Sequence, residues 1–259
     1  MKSVTGRRLA LLALAVVCGS RPVFAQRAPV VAAAASMNFA LTEIAAAFER
    51  EQGSRVELVF GASGVLARQI QNGAPFEVFL AADEEFPARL AAAGLTTDAG
   101  MVYATGRLVV FAPNGSPLKV DAQLADLGRL VRAGGARRFA IANPGVAPYG
   151  RAAEAVLRKR GVWDALRPNL VLGDSITQAA QFATTGNAVG GLLAYSLVLG
   201  ADFAKRGTYA VIPDEDYPPL RQRMVLMQRA GTTATRFYAF MQSPASKAIL
   251  RKHGFAVQG

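Results

Sequence analysis

The chain has 259 residues and 52% hydrophobic content, enough to bury a large core or to build two lobes. Its formal charge is +11, yet the basic residues are scattered, mostly at helical spacing beside acids, as in Arg158-Lys159-Arg160 after Glu154. No basic run is interleaved with stacking aromatics, so nucleic acid is not the expected partner, and the single cysteine and single histidine leave no cysteine metal site and little for His-based catalysis.

The first residues read as an export signal. Lys2, Arg7 and Arg8 precede an apolar run, 9–17, and Val23-Phe24-Ala25 supplies a small-x-small cleavage pattern, so the mature chain is expected to begin near Gln26. The run is far shorter than the ~20 residues a bilayer span requires. Cys18 lies inside this segment and follows Val17, where a lipoprotein signal calls for a small residue, so the mature chain is expected to carry no thiol and no lipid. Removing Lys2, Arg7, Arg8 and Arg21 lowers the charge from +11 to +7, a positive field that steers small anions toward a cleft.

The mature chain then alternates strands and helices. A short apolar run at 30–35 suits a buried strand. It leads to a helix at 39–51 with Leu41, Ile44, Ala45 and Phe48 on one face and Gly53 as its stop. A strand at 56–60, a helix at 65–72, a strand at 78–81 and a helix at 86–93 follow. The pattern restarts after Tyr103. Strands are expected at 107–112, 139–142, 170–172, 188–194, 209–212 and 224–227, and helices at 122–130, 149–160, 176–184, 233–241 and 244–253. This order predicts an α/β fold of two lobes, each a mostly parallel sheet covered by helices, with extended crossovers near 103–107 and 211–217. Lobe 1 would hold 26–104 and 213–259, lobe 2 105–212, and the C-terminal helices would return to lobe 1. One continuous doubly wound domain is the other arrangement this order allows. In either, ligands bind at the carboxyl ends of the strands.

Four strand-to-helix loops share one chemistry: Ala33-Ala34-Ala35-Ser36-Met37-Asn38, Gly61-Ala62-Ser63-Gly64, Asn143-Pro144-Gly145-Val146-Ala147-Pro148-Tyr149-Gly150 and Gly173-Asp174-Ser175-Ile176-Thr177. Each puts free backbone N–H groups at the positive end of a helix. Ser36 and Ser63 add hydroxyls, small residues permit close approach, and no Arg or Lys lies in any of the four. The site so composed would hold an anion by neutral dipoles. The plainer reading of any one loop is helix capping by Ser36, Ser63 or Asp174, worth ~1 kcal/mol each.

Ala33-Ala34-Ala35-Ser36 resembles the periplasmic molybdate-binding proteins. So does Phe60-Gly61-Ala62-Ser63-Gly64, followed by Gln69-Ile70, Gly73-Ala74-Pro75 and Val78-Phe79-Leu80-Ala81-Ala82-Asp83, and so does Asn143-Pro144 leading to Ala147-Pro148-Tyr149-Gly150. The resemblance spans the whole mature chain. It implies a type II periplasmic-binding-protein fold with molybdate or tungstate between the lobes, delivered to the membrane permease of an ABC importer. It further implies a monomer in the periplasm, with no cofactor and no bare metal cation. Carried over by position, Ser36 and Ser63 bind through hydroxyl and N–H, and Tyr149 and Ile176 through N–H, with the exact donor of the Ala147-Pro148-Tyr149-Gly150 loop left open. Several members of that family place a tyrosine hydroxyl on the ligand. Here Tyr195 falls one residue late after Gly191-Leu192-Leu193-Ala194, which in a strand points its side chain to the opposite face.

Other tetrahedral oxyanions, sulfate and phosphate, remain the alternative at this stage. Hydrogen phosphate would reward a buried carboxylate acceptor, and Asp174 is the only acid in the four loops. Catalysis is not expected. Ser36 and Ser63 have no visible base, and Gly61-Ala62-Ser63-Gly64 lacks nucleophile-elbow spacing. His253 is expected on an exposed helix end, and Glu84-Glu85 and Asp214-Glu215-Asp216 in solvated loops.

Overall fold

The computed structural model describes residues 27–185 and 187–257; the predicted signal segment, with Cys18, lies outside them. The first half runs β1 (Val30–Ala34), α1 (Asn38–Gln52), β2 (Glu57–Gly61), α2 (Ser63–Gln71), β3 (Phe76–Leu80), α3 (Glu85–Ala92) and β4 (Met101–Gly106). Next come β5 (Leu108–Pro113), α4 (Ala125–Arg132), β6 (Phe139–Ala142), α5 (Pro148–Lys159), α6 (Trp163–Leu166), β7 (Leu170–Gly173), α7 (Ile176–Thr185) and β8 (Gly190–Ala194). The chain ends with α8 (Tyr195–Val198), α9 (Ala201–Ala204), β9 (Gly207–Val211), β10 (Leu220–Leu226), α10 (Thr232–Phe240) and α11 (Pro244–Lys252).

These strands form two five-stranded sheets, β2-β1-β3-β10-β4 and β7-β6-β8-β5-β9. β1 lies between two parallel neighbours, and its two faces pack into different apolar clusters, Val31 and Ala33 in one and Val30 and Ala32 in the other, so every residue from Val30 to Ala34 is buried and its sequence is unbroken apolar rather than alternating. β6 holds the same place in the second sheet. The sheets are evenly mixed rather than mostly parallel. β10 pairs antiparallel with β3 and β4, and β5 antiparallel with β8 and β9. The reason is connectivity. β5 and β10 are the first strands laid down after each crossover, and they enter the new sheet against its direction. The two sheets thus share one topology, although the sequence carries no visible repeat.

α1 buries Leu41, Ile44 and Phe48 and ends at Gly53, whose φ of 63° suits a residue without a Cβ and lets its N–H bond Glu49 O. Phe48 meets Phe237 and Phe240 of α10 edge-on, at ring separations of 5.2 and 5.4 Å. The C-terminal helices pack beside α1 on the first sheet. β4 was not expected. It is an edge strand ending in Gly106, and only Arg107 separates it from β5. The one-turn helices α6, α8 and α9 were also not expected, because four residues carry no readable period. Tyr217 ties the two crossovers: its hydroxyl accepts from Leu108 N–H at 3.1 Å and donates to Asp214 Oδ1 at 2.9 Å.

The lobes are closed on one another. Ala34, Ala35, Ala62 and Ala82 of the first lobe pack into the apolar cluster of the second. Across the seam Gly64 N–H donates to Val146 O at 3.0 Å, Thr177 Oγ1 to Ala35 O at 3.3 Å and Ser196 Oγ to Ser36 O at 2.8 Å.

Candidate functional site

The four strand-to-helix loops converge. Ser36, Ser63, Tyr149 and Ile176 line one small cavity of about 10 Å³, completed by small residues that include Ala34, Ala35, Gly61, Ala62, Ala82 and Ala147. Larger cavities lie elsewhere, one of them touching the second and third loops at Gly64, Gly145 and Val146, but among the described residues none takes in all four loops. Among the described residues no Asp, Glu, His, Lys or Arg lines this one.

The donors follow from helix geometry, since first-turn N–H groups have no acceptor within their own helix. In α2, Gly64 N–H is taken by Val146 O and those of Val65 and Leu66 by Ala62 O, leaving that of Ser63 at the first helical position. In the third loop, Ala147 N–H bonds Asn143 O, Pro148 has no N–H, and Gly150 N–H bonds Ala147 O. Tyr149 is the residue left with an N–H to offer. At α7, Asp174 N–H is held by Gln178 Oε1 at 2.6 Å and Gln178 N–H by Ser175 Oγ at 3.3 Å, with Ile176 at the first helical position.

The capping reading fails at every position it was raised for. Ser36 sits in a 3-10 turn, Ala35–Met37, and neither it nor Ser63 caps a helix through its side chain. Ser63 Oγ instead accepts from Ala82 N–H at 3.0 Å, so its own proton is free. Ser36 Oγ is buried without a hydrogen-bond partner among the described residues. At α7 it is Ser175, not Asp174, whose side chain accepts from the first turn.

The Tyr149 side chain runs the other way, into the molecule. Burial pushes its hydroxyl well above the ordinary tyrosine range, partly opposed by the neighbouring polar side chains of Ser36 and Gln222. At the mouth of the cleft, Arg151 of α5 pairs with Asp83 and reaches Glu85 at 3.6 Å, and its guanidinium lies 5.3 Å from the Phe86 ring centre. Burial raises the Asp83 carboxyl above its usual value, opposed by the Phe86 N–H bond and by Arg151. Sequence reasoning missed Ala82 and Arg151 as parts of the seam, and their sequence signal is position beside the donor loops; Val146 lies inside the third loop, but its carbonyl was not singled out.

Residues 29–256 match the family model for bacterial extracellular solute-binding proteins. The chain belongs to this family. It is 37% identical to the "Molybdate-binding protein ModA" of Rhodobacter capsulatus, covering 97% of each chain. It is also 37% identical to ModA of Azotobacter vinelandii, covering 96% of this chain and 98% of that one. The solved Azotobacter vinelandii periplasmic molybdate-binding protein superposes with a TM-score of 0.81 at 30% identity, covering 89% of this chain and all of the other. Members of the family are solute-binding proteins, and the two-lobe α/β fold is theirs.

Within this family frame the remaining sequence expectations can be placed. Tyr195 does not line the cavity; it opens α8 and its ring packs 5.7 Å from that of Tyr209. The reason is the end of the strand at Ala194 rather than a register slip within it. His253 is not on an exposed end: it is largely buried, with Nε2 2.8 Å from Glu43 Oε2. Asp216 is buried, not solvated, and pairs with Lys159 and Arg160.

Proposed function

We propose that this protein captures molybdate or tungstate in the periplasm and delivers it to the membrane permease of an ABC importer. The observation that carries the reading is one uncharged cavity lined by Ser36, Ser63, Tyr149 and Ile176, each from a different strand-to-helix turn. Ser36 and Ser63 bind by hydroxyl and N–H, Tyr149 and Ile176 by N–H alone. Residues 26–104 with 213–259 act as one lobe and 105–212 as the other, opening and closing about the crossovers. The cavity, about 10 Å³, is far smaller than the ~300–1,000 Å³ typical of sites for larger molecules. Neutral donors at helix ends favour a dianion without fixing it by a salt bridge. The protein acts as a monomeric carrier, not an enzyme, since no base reaches either serine.

Size sets the preference. Molybdate, tungstate and sulfate are all deprotonated dianions near neutral pH, and donors on packed helix ends do not shift to follow a smaller ion. The shorter sulfate leaves its oxygens short of donors, and losing three charge-assisted bonds at ~1.5 kcal/mol each costs roughly three decades in affinity. Thermal shift and competition calorimetry against molybdate, tungstate, sulfate and phosphate test this. Strong stabilisation by the first two is expected. Sulfate displacing molybdate at comparable concentration would assign the protein to the sulfate binders instead.

A further inference from the structure

No charged side chain among the described residues lines the cavity, yet two of opposite sign meet at its mouth. Arg151 of α5 stands two residues beyond Tyr149, and its partner Asp83 directly follows Ala82, so each lies next to the cavity lining. Each is built into its own lobe. Asp83 Oδ1 accepts from Phe86 N–H at 3.2 Å where α3 begins, and Asp83 O accepts from Arg223 N–H of β10 at 3.3 Å. Arg151 lies in the first turn of α5, with its N–H on Ala147 O at 3.1 Å. Glu85 and the Phe86 ring flank the guanidinium from the first lobe. Among the described residues one other group of ion pairs joins the lobes: Asp216, on the second crossover, pairs with Arg160 and, at 2.6 Å, with Lys159 at the far end of α5. That group sits at the pivot, where opening changes distances least. The Arg151–Asp83 pair sits on the two walls that part.

We propose that Arg151 is a positioning residue: paired with Asp83 it latches the lobes shut, and so sets how long the anion is held without touching it. In the closed form the Asp83 side chain is 13% exposed and that of Arg151 36%, so water screens the pair only in part. Opening returns both groups to solvent. Taking away the guanidinium would leave the Asp83 carboxylate nearly dry and without its main partner in the closed form alone, which shifts the balance toward open lobes. Affinity scales with the fraction of protein in the competent form, so a contact made only on closure strengthens the binding of every anion by one factor. The effect falls on release, because a close pair that opening must break slows dissociation, whereas a charge felt at a distance acts on association. The two roles differ in sign at Asp83. Its negative field repels a dianion, so if the field alone mattered, neutralising Asp83 would tighten binding. A latch requires the opposite: loss of either partner weakens it.

This inference rests on the oxyanion reading, and two measurements keep their failures apart. Release of radiolabelled molybdate, chased with tungstate, and small-angle scattering with and without molybdate are recorded for the mature protein, Arg151→Gln, Asp83→Asn, the double variant and Arg151→Lys. Asp83→Asn keeps an oxygen for Phe86 N–H, so it tests the charge without removing that contact. Release is expected to quicken about tenfold in Arg151→Gln and about threefold in Asp83→Asn, where Glu85 remains as a second acceptor, with association changed less than about threefold. The double variant should release no faster than Arg151→Gln, since one interaction is lost once. Arg151→Lys, which keeps the charge, should recover most of the slow release. The ratio of molybdate to tungstate affinity should hold in every variant. Without ligand, Arg151→Gln and Asp83→Asn should scatter as more open molecules than the unsubstituted protein; with molybdate all should match. Tighter binding by Asp83→Asn, or slower association with unchanged release in Arg151→Gln, would make the pair a field effect and overturn the proposal. Unchanged release with lowered melting temperatures would make it a structural contact and overturn it equally. Failure of the unsubstituted protein to bind molybdate would defeat the oxyanion reading, and scattering of the ligand-free variants would still decide the latch.

Discussion

Replacing Gly64 with alanine should lower affinity while leaving the stability of the free protein nearly unchanged. Gly64 is the second residue of α2 and lies on the seam between the lobes. A Cβ there would stand 2.9 Å from Val146 O of the opposite lobe and 2.7 Å from Phe86 Cζ. The phenyl ring is hemmed in by the guanidinium groups of Arg89 and Arg151, centred 5.6 and 5.3 Å from its centroid. The carbonyl is backbone, so relief comes by parting the lobes. A carbon–oxygen contact needs about 3.3–3.6 Å, so the seam must open by roughly 0.5 Å. Hydrogen bonds that span the cleft from both sides cannot all follow. Losing about two charge-assisted bonds at ~1.5 kcal/mol each costs ~3 kcal/mol, or roughly a hundredfold in Kd. With the lobes apart the clash with Val146 does not exist, and Phe86, released from Arg151 of the other lobe, is left to turn aside within its own lobe, a cost offset by the about 0.5–1 kcal/mol by which alanine is better than glycine within a helix. The ligand-free protein should therefore melt at about the same temperature while calorimetry reads a weaker Kd. A Kd within threefold of the unsubstituted protein would refute the claim that the seam at Gly64 closes to this distance when the anion binds.

Ser63→Ala should weaken molybdate by about ten- to a hundredfold, since it removes a charge-assisted donor. It should also lower the stability of the free protein by ~1–3 kcal/mol, because the buried Ala82 N–H loses its acceptor; calorimetry and denaturant titration read the two effects separately. Tyr195→Phe should leave molybdate affinity within about threefold, since the ring lies against Tyr209 outside the cavity; a tenfold loss would place its hydroxyl on the anion. Affinity should be flat from about pH 6 to 9. The cavity has no carboxylate or imidazole, and burial raises Tyr149, so it keeps its proton beyond the ordinary value of about 10 and binding is not lost as pH climbs toward it. A titration midpoint inside that window would point to a group the cavity does not contain.

The placement of the candidate residues on strand-to-helix turns was readable because it is local. A strand end, one or two small residues and a helix start place Ser63 and Ile176 at first helical positions whatever the rest of the chain does. Pro148 marks Tyr149 in the same way, by lacking the N–H that would compete with it. The alternation of strands and helices was likewise legible from periodicity and glycine stops. The one-turn helices and edge strand β4 were not, because so few residues carry too little pattern to outweigh tertiary context.

Tertiary structure decided which of these local features meet. Ser63 became a free donor rather than a cap only because Ala82 N–H arrives on its oxygen. Gln222 reaches Tyr149 across 73 residues and Tyr103 across 119, and Arg151 meets Asp83 across 68. The antiparallel strands β5 and β10 made both sheets mixed, a consequence of the direction in which the chain re-enters each lobe. Periodicity and turn chemistry act between residues a few positions apart, where the backbone itself sets the geometry. Pairing across the hinge is set by where two separately closed sheets stop against each other, and no stretch of sequence contains both partners.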